Sequence, residues 1–360
     1  MIFEGESSAG HGVAAQFGKV GTETIAHRLV FNAGKIVKFP GNEAAVARRK
    51  TLWHTLCAFV GMSFQRRHIQ ILSAPSILGL RHSGVELLAQ SLLQAGLAEQ
   101  LNDQLPVIHV PTLNDRYNPK RDPVTQCLNP GTLREFSLQL GAAVDETVQR
   151  NRFVLVLGGD CSILLGILSA LQPYGPNGLI FIDAHADFYS PETSVTGETA
   201  DMDLALVTGH GPSILTDING REPYIQEKNV IHIGQRDEEE TILYGSPDIR
   251  ETAIRRFPLQ TIREQGMTAV TTQVLGQIDA SPLKNYWIHF DMDVLSDELN
   301  PAVDYRLPGG LRFDEVEHLL RQLLLTGKIT GMSITVFNPQ LDEHGLIAAA
   351  ITESLGRAFP

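Results

Sequence analysis

Cysteine is scarce in this sequence: three in 360 residues, Cys57, Cys127 and Cys161, odd in number and far apart. Such a set builds no disulfide framework, so a reducing compartment is expected, with the cytoplasm the simplest location. Long apolar runs are missing as well. None approaches the roughly 20 residues of a helical membrane span, which points to a soluble chain without a membrane partner. Nor is there a basic excess. Lys and Arg number 29 against 41 Asp and Glu, a formal net charge of -12, so nucleic acid is not an expected partner either. Internal repeats and low-complexity tracts are absent, which excludes a solenoid. What remains, 43% hydrophobic residues with 32 Gly and 19 Pro, is the make-up of an ordinary globular protein.

Charge is unevenly spread. Residues 1–67 hold nine Lys/Arg and four Asp/Glu, so the whole acidic excess falls on the rest of the chain. This stretch shows no clear strand alternation, and Gly and small polar residues dominate its beginning. It is expected to be a loosely ordered N-terminal extension to a domain spanning 68–360. Glu4 and Glu6 argue against an organelle presequence, while Ala44 to Phe59 has helical potential.

From residue 68 onwards, short β-branched-rich runs alternate with segments of helical spacing. The runs are His68–Ala74, Pro106–Pro111, Arg152–Leu157, Gly178–Ile182, Asn229–Ile233, Met267–Thr272, Tyr286–Phe290 and Lys328–Val336. Most are continuous and bounded by Gly, Pro or polar residues, as for strands covered on both faces. Helical stripes run over Val85–Leu97, Leu133–Val148, Ser162–Leu171 and Phe313–Leu325. The alternation predicts a three-layer α-β-α fold around a mainly parallel, eight-stranded sheet. In such sheets the ligand site lies beyond the carboxyl ends of the strands.

Three of those ends carry unusual residues: Gly158-Gly159-Asp160-Cys161-Ser162, Asp183-Ala184-His185-Ala186-Asp187 and Asp291-Met292-Asp293. Residues two apart on a strand share a face, so Asp183 can converge with His185, and Asp291 with Asp293. Asp187 joins them if the chain stays extended or turns just past the strand. A lone Asp after a strand is ordinarily a turn former, which explains one such motif well and three together poorly. Facing carboxylates repel unless they protonate, splay into solvent or are neutralised by cations. A D-x-H-x-D with a D-x-D suits two divalent ions that share bridging carboxylates and activate a water between them.

These motifs resemble those of the ureohydrolase family of arginases, agmatinases and related metal-dependent hydrolases. Gly158–Ser162 stands for the family's G-G-D-H-S, Asp183–Asp187 for D-A-H-x-D and Asp291–Asp293 for D-x-D. Ile233–Asp237, Gly309–Leu311 and Asn338-Pro339 add weaker support. The resemblance implies a binuclear Mn²⁺ centre and metal-bound hydroxide cleaving a linear C–N bond of a small guanidine, amidine or amide. It also implies a homo-oligomer, trimer or hexamer. Asp183 and Asp291 would bridge, His185 and Asp293 would complete one metal's shell, and Asp187 and Cys161 the other's. Glu239, Thr196 and Tyr189 would contact substrate.

Three positions depart from the family pattern. Cys161 replaces the metal-binding His of G-G-D-H-S, and a softer donor there admits Zn²⁺, Co²⁺ or Ni²⁺. Ala200 stands near a proton-transferring His, a role for which Glu198, Asp201 or His210 offers a substitute. Val336 occupies the place of an acid that cups the guanidinium, while Arg306 is available for a substrate carboxylate. Two further readings stay open: a single-metal amide hydrolase of the deacetylase type using Asp183, His185 and Asp291, and a non-catalytic binding or assembly subunit.

Overall fold

The computed structural model of the chain describes residues 68–101 and 105–360. The expected extension 1–67 lies outside the described residues. The strands are β1 Ile69–Ser73, β2 Ile108–His109, β3 Phe153–Leu157, β4 Asn177–Ile182, β5 Val230–Ile233, β6 Arg255–Phe257, β7 Asn285–Asp291 and β8 Ile329–Thr335. They form one eight-stranded sheet in the order β2-β1-β3-β8-β7-β4-β5-β6, and every pairing in it is parallel.

Both faces are covered, which is why the central strands read as unbroken apolar runs. Period-two alternation sends Ile180, Ile182, Ile288, Phe290 and Ile334 into one core, packed on the helices Met267–Ala280, Phe313–Leu325 and Leu346–Ala358. Their neighbours Leu179, Phe181, Val156 and Trp287 enter the other, against Pro130–Gln149 and Ile163–Leu171. The three layers and eight strands agree with expectation. Among the described residues no helix is long and apolar enough to cross a membrane.

One expected strand is not a strand. Met267–Thr272 forms the first turns of the helix Met267–Ala280, whose buried residues Met267, Val270, Thr271, Val274 and Ile278 follow three- and four-residue spacing. The six-residue window was β-branched enough to look extended; the helical period appears only over fourteen residues. The missing strand is β6, with the sequence Arg-Arg-Phe, at the sheet's edge beside β5. Its charge hid it from an apolar criterion, and edge strands commonly carry charge. The Arg256 guanidinium is held by Gln235 at 2.7 Å and by Glu238 at 3.1 Å.

The stripe over Val85–Leu97 is also broken. A 3-10 turn at Val85–Leu87 leads into Leu88–Gln94, and Gly96 with φ 89° starts a separate turn at Leu97–Gln100. The expected helix over Leu133–Val148 begins earlier, at Pro130, whose fixed φ suits a first helical position.

Register decides where the chemistry lies. Leu157 of β3, Ile334 of β8, Phe290 of β7 and Ile182 of β4 are level across four adjacent strands. The next residue on each is Gly158, Thr335, Asp291 and Asp183. All three motifs therefore open at one height on contiguous strands.

Candidate metal centre

The loop after β3 needs glycine where it passes the end of β1. A Cβ on Gly159 would lie 1.9 Å from the Ser76 carbonyl oxygen. This approach lets the Asp160 amide donate to that carbonyl at 3.1 Å. The Asp160 carboxylate is fully buried and accepts from Ser76 Oγ at 3.0 Å, the Gly79 amide at 3.2 Å, and both the amide (3.0 Å) and hydroxyl of Ser162. With its oxygens so engaged, Asp160 is a brace that presents Cys161.

Asp183 ends β4 differently. Its Oδ1 accepts from the His185 amide at 2.7 Å, while Oδ2 is buried without a partner. Asp291 ends β7 in the same manner: Oδ1 accepts from the Asp293 amide at 2.8 Å, and Oδ2 receives the Cys161 thiol at 2.7 Å. Each of these carboxylates thus caps its own turn with one oxygen and turns the other inward. His185 Nδ1 meets Asp293 Oδ2 at 2.8 Å, and its carbonyl is held by His232 Nε2 at 2.8 Å. Asp187 bends out of the extended path with φ 45°, a region Asp tolerates better than most residues.

Donor atoms that lie within 4.8 Å of one another fall into three overlapping groups: Asp183, His185 and Asp293; Cys161, Asp183, Asp291 and His289; and Cys161, Asp187 and Asp203. All six motif residues are therefore brought together, with Asp183 common to two groups and Cys161 to two. His289 and Asp203 were not anticipated. His289 sits inside an apolar-looking strand and Asp203 opens a short helix, and neither position carries a motif signal by itself.

Burial and mutual repulsion push Asp183 and Asp187 well above the usual carboxylate range. Burial pushes Asp203 up, and burial with the Asp293 charge does the same to Asp291. Burial would raise Asp293 too, but its ion pair with His185 and the nearby Arg236 outweigh it and hold Asp293 down. In the same pair, burial works against the His185 charge, yet Asp293 and Asp183 carry it up to about 10. Burial holds His289 neutral, down at about 3. The Cys161 thiol is driven well up by burial and by the Asp291 charge. Raised carboxylates and unpartnered oxygens mark a cluster with more negative charge than His185 and Arg236 offset, suited to taking up further positive charge.

Neighbours brace the cluster. Asp237 accepts from the Ala186 amide at 2.9 Å and from Gln235 Nε2 at 2.9 Å. Arg236 donates to the Asp293 carbonyl at 2.8 Å and to the Val294 carbonyl at 3.3 Å, fixing the turn after β7.

The three departures meet at one place. Cys161, Ala200 and Val336 belong to a single buried apolar cluster with Ile77, Leu80, Val85 and Val303. Val336 holds φ 57°, a conformation a β-branched residue rarely adopts, and its amide donates to the Gly159 carbonyl at 2.9 Å.

The remaining sequence candidates are mostly engaged elsewhere. Thr196 Oγ1 donates to Asp201 Oδ2 at 3.0 Å, and burial with the Glu198 charge raises Asp201 to about 7. Glu198 accepts from the Arg81 amide at 2.8 Å and from the Tyr305 hydroxyl at 2.6 Å. His210 pairs with Glu227 at 2.8 Å. Arg306 is forked onto Asp297. Glu239 is exposed in the first turn of Glu238–Leu243, and Tyr189 is half-buried, its phenol raised by burial and by Asp237.

Comparison with known proteins fits this geometry. The chain is 30% identical over 302 residues to the arginase of Bacillus caldovelox, covering 81% of this chain and 97% of that protein. The native structure of that arginase superposes with a TM-score of 0.73, covering 81% of this chain and 98% of the other. The arginase structure from Bacillus cereus gives 0.71 at 29% identity, with coverages of 81% and 98%. The sequence model of the arginase family matches residues 67–358, the stretch that holds the sheet and the carboxylate cluster, and the chain belongs to that family.

Proposed function

We propose that the chain is a metal-dependent hydrolase of the ureohydrolase type, cleaving a linear C–N bond in an amidine whose central carbon carries hydrogen or carbon in place of a third nitrogen. The observation that carries this reading is the coincidence of a carboxylate cluster with unpartnered buried oxygens and an apolar wall beside it. The donors suit two divalent cations, with Cys161, Asp183, Asp187 and Asp291 around one and Asp183, His185, Asp291 and Asp293 around the other. Manganese is the family's ion, and the sulfur of Cys161 also admits Zn²⁺, Co²⁺ or Ni²⁺. Cations held by these residues would supply Lewis acidity, lowering the pKa of a bound water and polarising the substrate's C–N group.

The protein's own residues do the rest. Asp183 and Asp291 each spend one oxygen on a backbone amide of their own turn, so the other is held at a fixed angle. His185 is oriented by Asp293 on its ring and by His232 on its carbonyl. The apolar side chains of Ala200 and Val336 offer no carboxylate to a guanidinium, whose extra amino group would be buried unpaired there, costing roughly 1–3 kcal/mol. A formamidine presents C–H to the same surface. Tyr189, Thr196 and Glu239 are assigned to the substrate's outer end, and assembly as a trimer or hexamer accompanies this reading.

The test is a product screen with full-length protein loaded in turn with Mn²⁺, Zn²⁺, Co²⁺ and Ni²⁺. N-formimidoyl compounds should release formamide and amine at least tenfold faster than guanidino compounds release urea. Urea as the faster product would sink the substrate assignment. Acetate from acetylated amines would favour deacetylase chemistry, and silence at full metal occupancy a binding role.

A further inference from the structure

We propose that His289 and Asp203 are ligands of one of the cations, with His289 restoring from β7 the imidazole that Cys161 displaces from the loop after β3. This rests on the two-cation reading above but concerns residues outside the three motifs.

Position comes first. On β7, His289 lies two residues before Asp291 and so shares its face, one layer deeper into the sheet. It pairs in register with Phe181 and Ser333. Its ring stacks on Phe181 with centroids 4.9 Å apart, and its Nδ1 lies 3.0 Å from Ser333 Oγ. That hydroxyl oxygen also accepts the Trp287 indole N–H at 3.0 Å. If Nδ1 carries the proton towards Ser333, the Nε2 lone pair is left free and aimed at the cluster, the arrangement that commonly fixes a metal-binding histidine. At Nε2 the protein offers little competition: Thr335 Oγ1 is 3.4 Å away, near the limit of a hydrogen bond.

Asp203 supplies the second, independent observation. Its residue is wholly buried, and neither carboxylate oxygen makes a well-formed hydrogen bond, the Leu204 amide and the Asp187 carboxyl being its nearest polar neighbours. Its Oδ2 stands 3.8 Å from His289 Nε2, too far for a hydrogen bond. Such a spacing suits two donors that face a common third partner. Metal–ligand bonds of about 2.0–2.3 Å allow donors on one ion to be up to roughly 4.6 Å apart. His289 lies within 4.8 Å of Cys161, Asp183 and Asp291, and Asp203 within the same range of Cys161 and Asp187.

The chemistry follows from the donors. One centre with thiol, imidazole and carboxylate donors is of mixed softness and suits Zn²⁺ or Co²⁺ better than an all-oxygen cage would. The other centre, Asp183 with His185 and Asp293, keeps the harder set. The two positions should therefore differ in metal preference within one molecule.

The experiment follows the ring itself. Full-length protein labelled with ¹⁵N-histidine is cleared of metal and titrated with Zn²⁺, with imidazole nitrogen shifts read by NMR and stoichiometry by elemental analysis. The expected result is a metal-induced shift at Nε2 of His289 as well as at His185. His289→Gln and Asp203→Asn should each weaken one of two Zn²⁺ sites by about tenfold or more, while His185→Ala weakens the other. Two ions bound with His289 unshifted, or both variants retaining two ions at undiminished affinity, would overturn the proposal while leaving the two-cation reading intact. Failure of wild type to bind Zn²⁺, Co²⁺ or Mn²⁺ would overturn both. The wild-type titration decides the matter even if a variant fails to fold.

Discussion

Two fully buried aspartates show how little residue type says about role. Asp160 accepts hydrogen bonds from Ser76, Gly79 and Ser162, whereas Asp183 leaves Oδ2 without a partner. Removing Asp160 strands several buried donors, so Asp160→Ala should destabilise the chain by about 2–4 kcal/mol with or without metal, as read by urea unfolding. Asp183→Asn should act in the opposite direction on the metal-free protein. It removes a carboxyl that its neighbours force to hold a proton, keeps an oxygen for the His185 amide, and should raise the melting temperature in chelator at neutral pH while reducing cation binding. A lower melting temperature for Asp183→Asn in chelator would mean that Asp183 is paired within the protein after all.

At the scale of elements, close approach and period control the outcome. Gly159 permits the loop after β3 to touch Ser76 beyond β1, and Gly159→Ala would press a methyl group against a carbonyl oxygen at 1.9 Å. The loop must then open, with an expected loss of more than about 2 kcal/mol and of metal binding together, since Cys161 rides on the same loop. The helix Met267–Ala280 gives a test of the corrected period. Ile278 is buried and Thr272 exposed. Ile278→Ala should cost about 2–5 kcal/mol and Thr272→Ala less than roughly 0.5 kcal/mol in denaturant midpoints. A buried strand would make Thr272 as sensitive as Val270, two residues before it, and that result would contradict the helix.

For the whole molecule, the cluster ties folding to pH. Asp183, Asp187, Asp203 and Asp291 hold protons to higher pH in the folded, metal-free chain than when unfolded. The folded state then binds more protons, so stability falls as pH rises beyond the ordinary carboxylate range. His185 acts in the same direction: raised from 6.5 to about 10, its ion-pair contribution is complete below 6.5 and declines as pH climbs towards 10. Asp293, held low, stays ionised from pH 5 to 8 and adds no slope there, while His289 and His232, held down at about 3, add an opposing slope below 6.5 that the five raised groups outweigh. In chelator the melting temperature should fall between pH 5 and 8, by on the order of 5 °C. The increment gained on adding Mn²⁺ or Zn²⁺ should grow over the same interval, because cations replace the protons. A flat profile in chelator would show that the carboxylates are not forced together.

Alternation of short apolar runs with helical stripes was enough to determine the three-layer architecture, because strands covered on both faces have few other ways to be built. Strand period accounts for the pairs Asp183 with His185 and Asp291 with Asp293, since residues two apart share a face, whereas Cys161 and Asp187 were legible only through the family resemblance of their motifs. Only the tertiary structure decided the remainder. Arg255–Phe257 is a strand because β5 offers it an open edge, and Met267–Thr272 is helical because its period spans a longer segment than its propensity suggests. Cys161, Ala200 and Val336 are separate substitutions along the chain and become one apolar wall when the loops meet. His289 and Asp203, 86 positions apart, gain a shared role through strand register and burial, which no local pattern encodes.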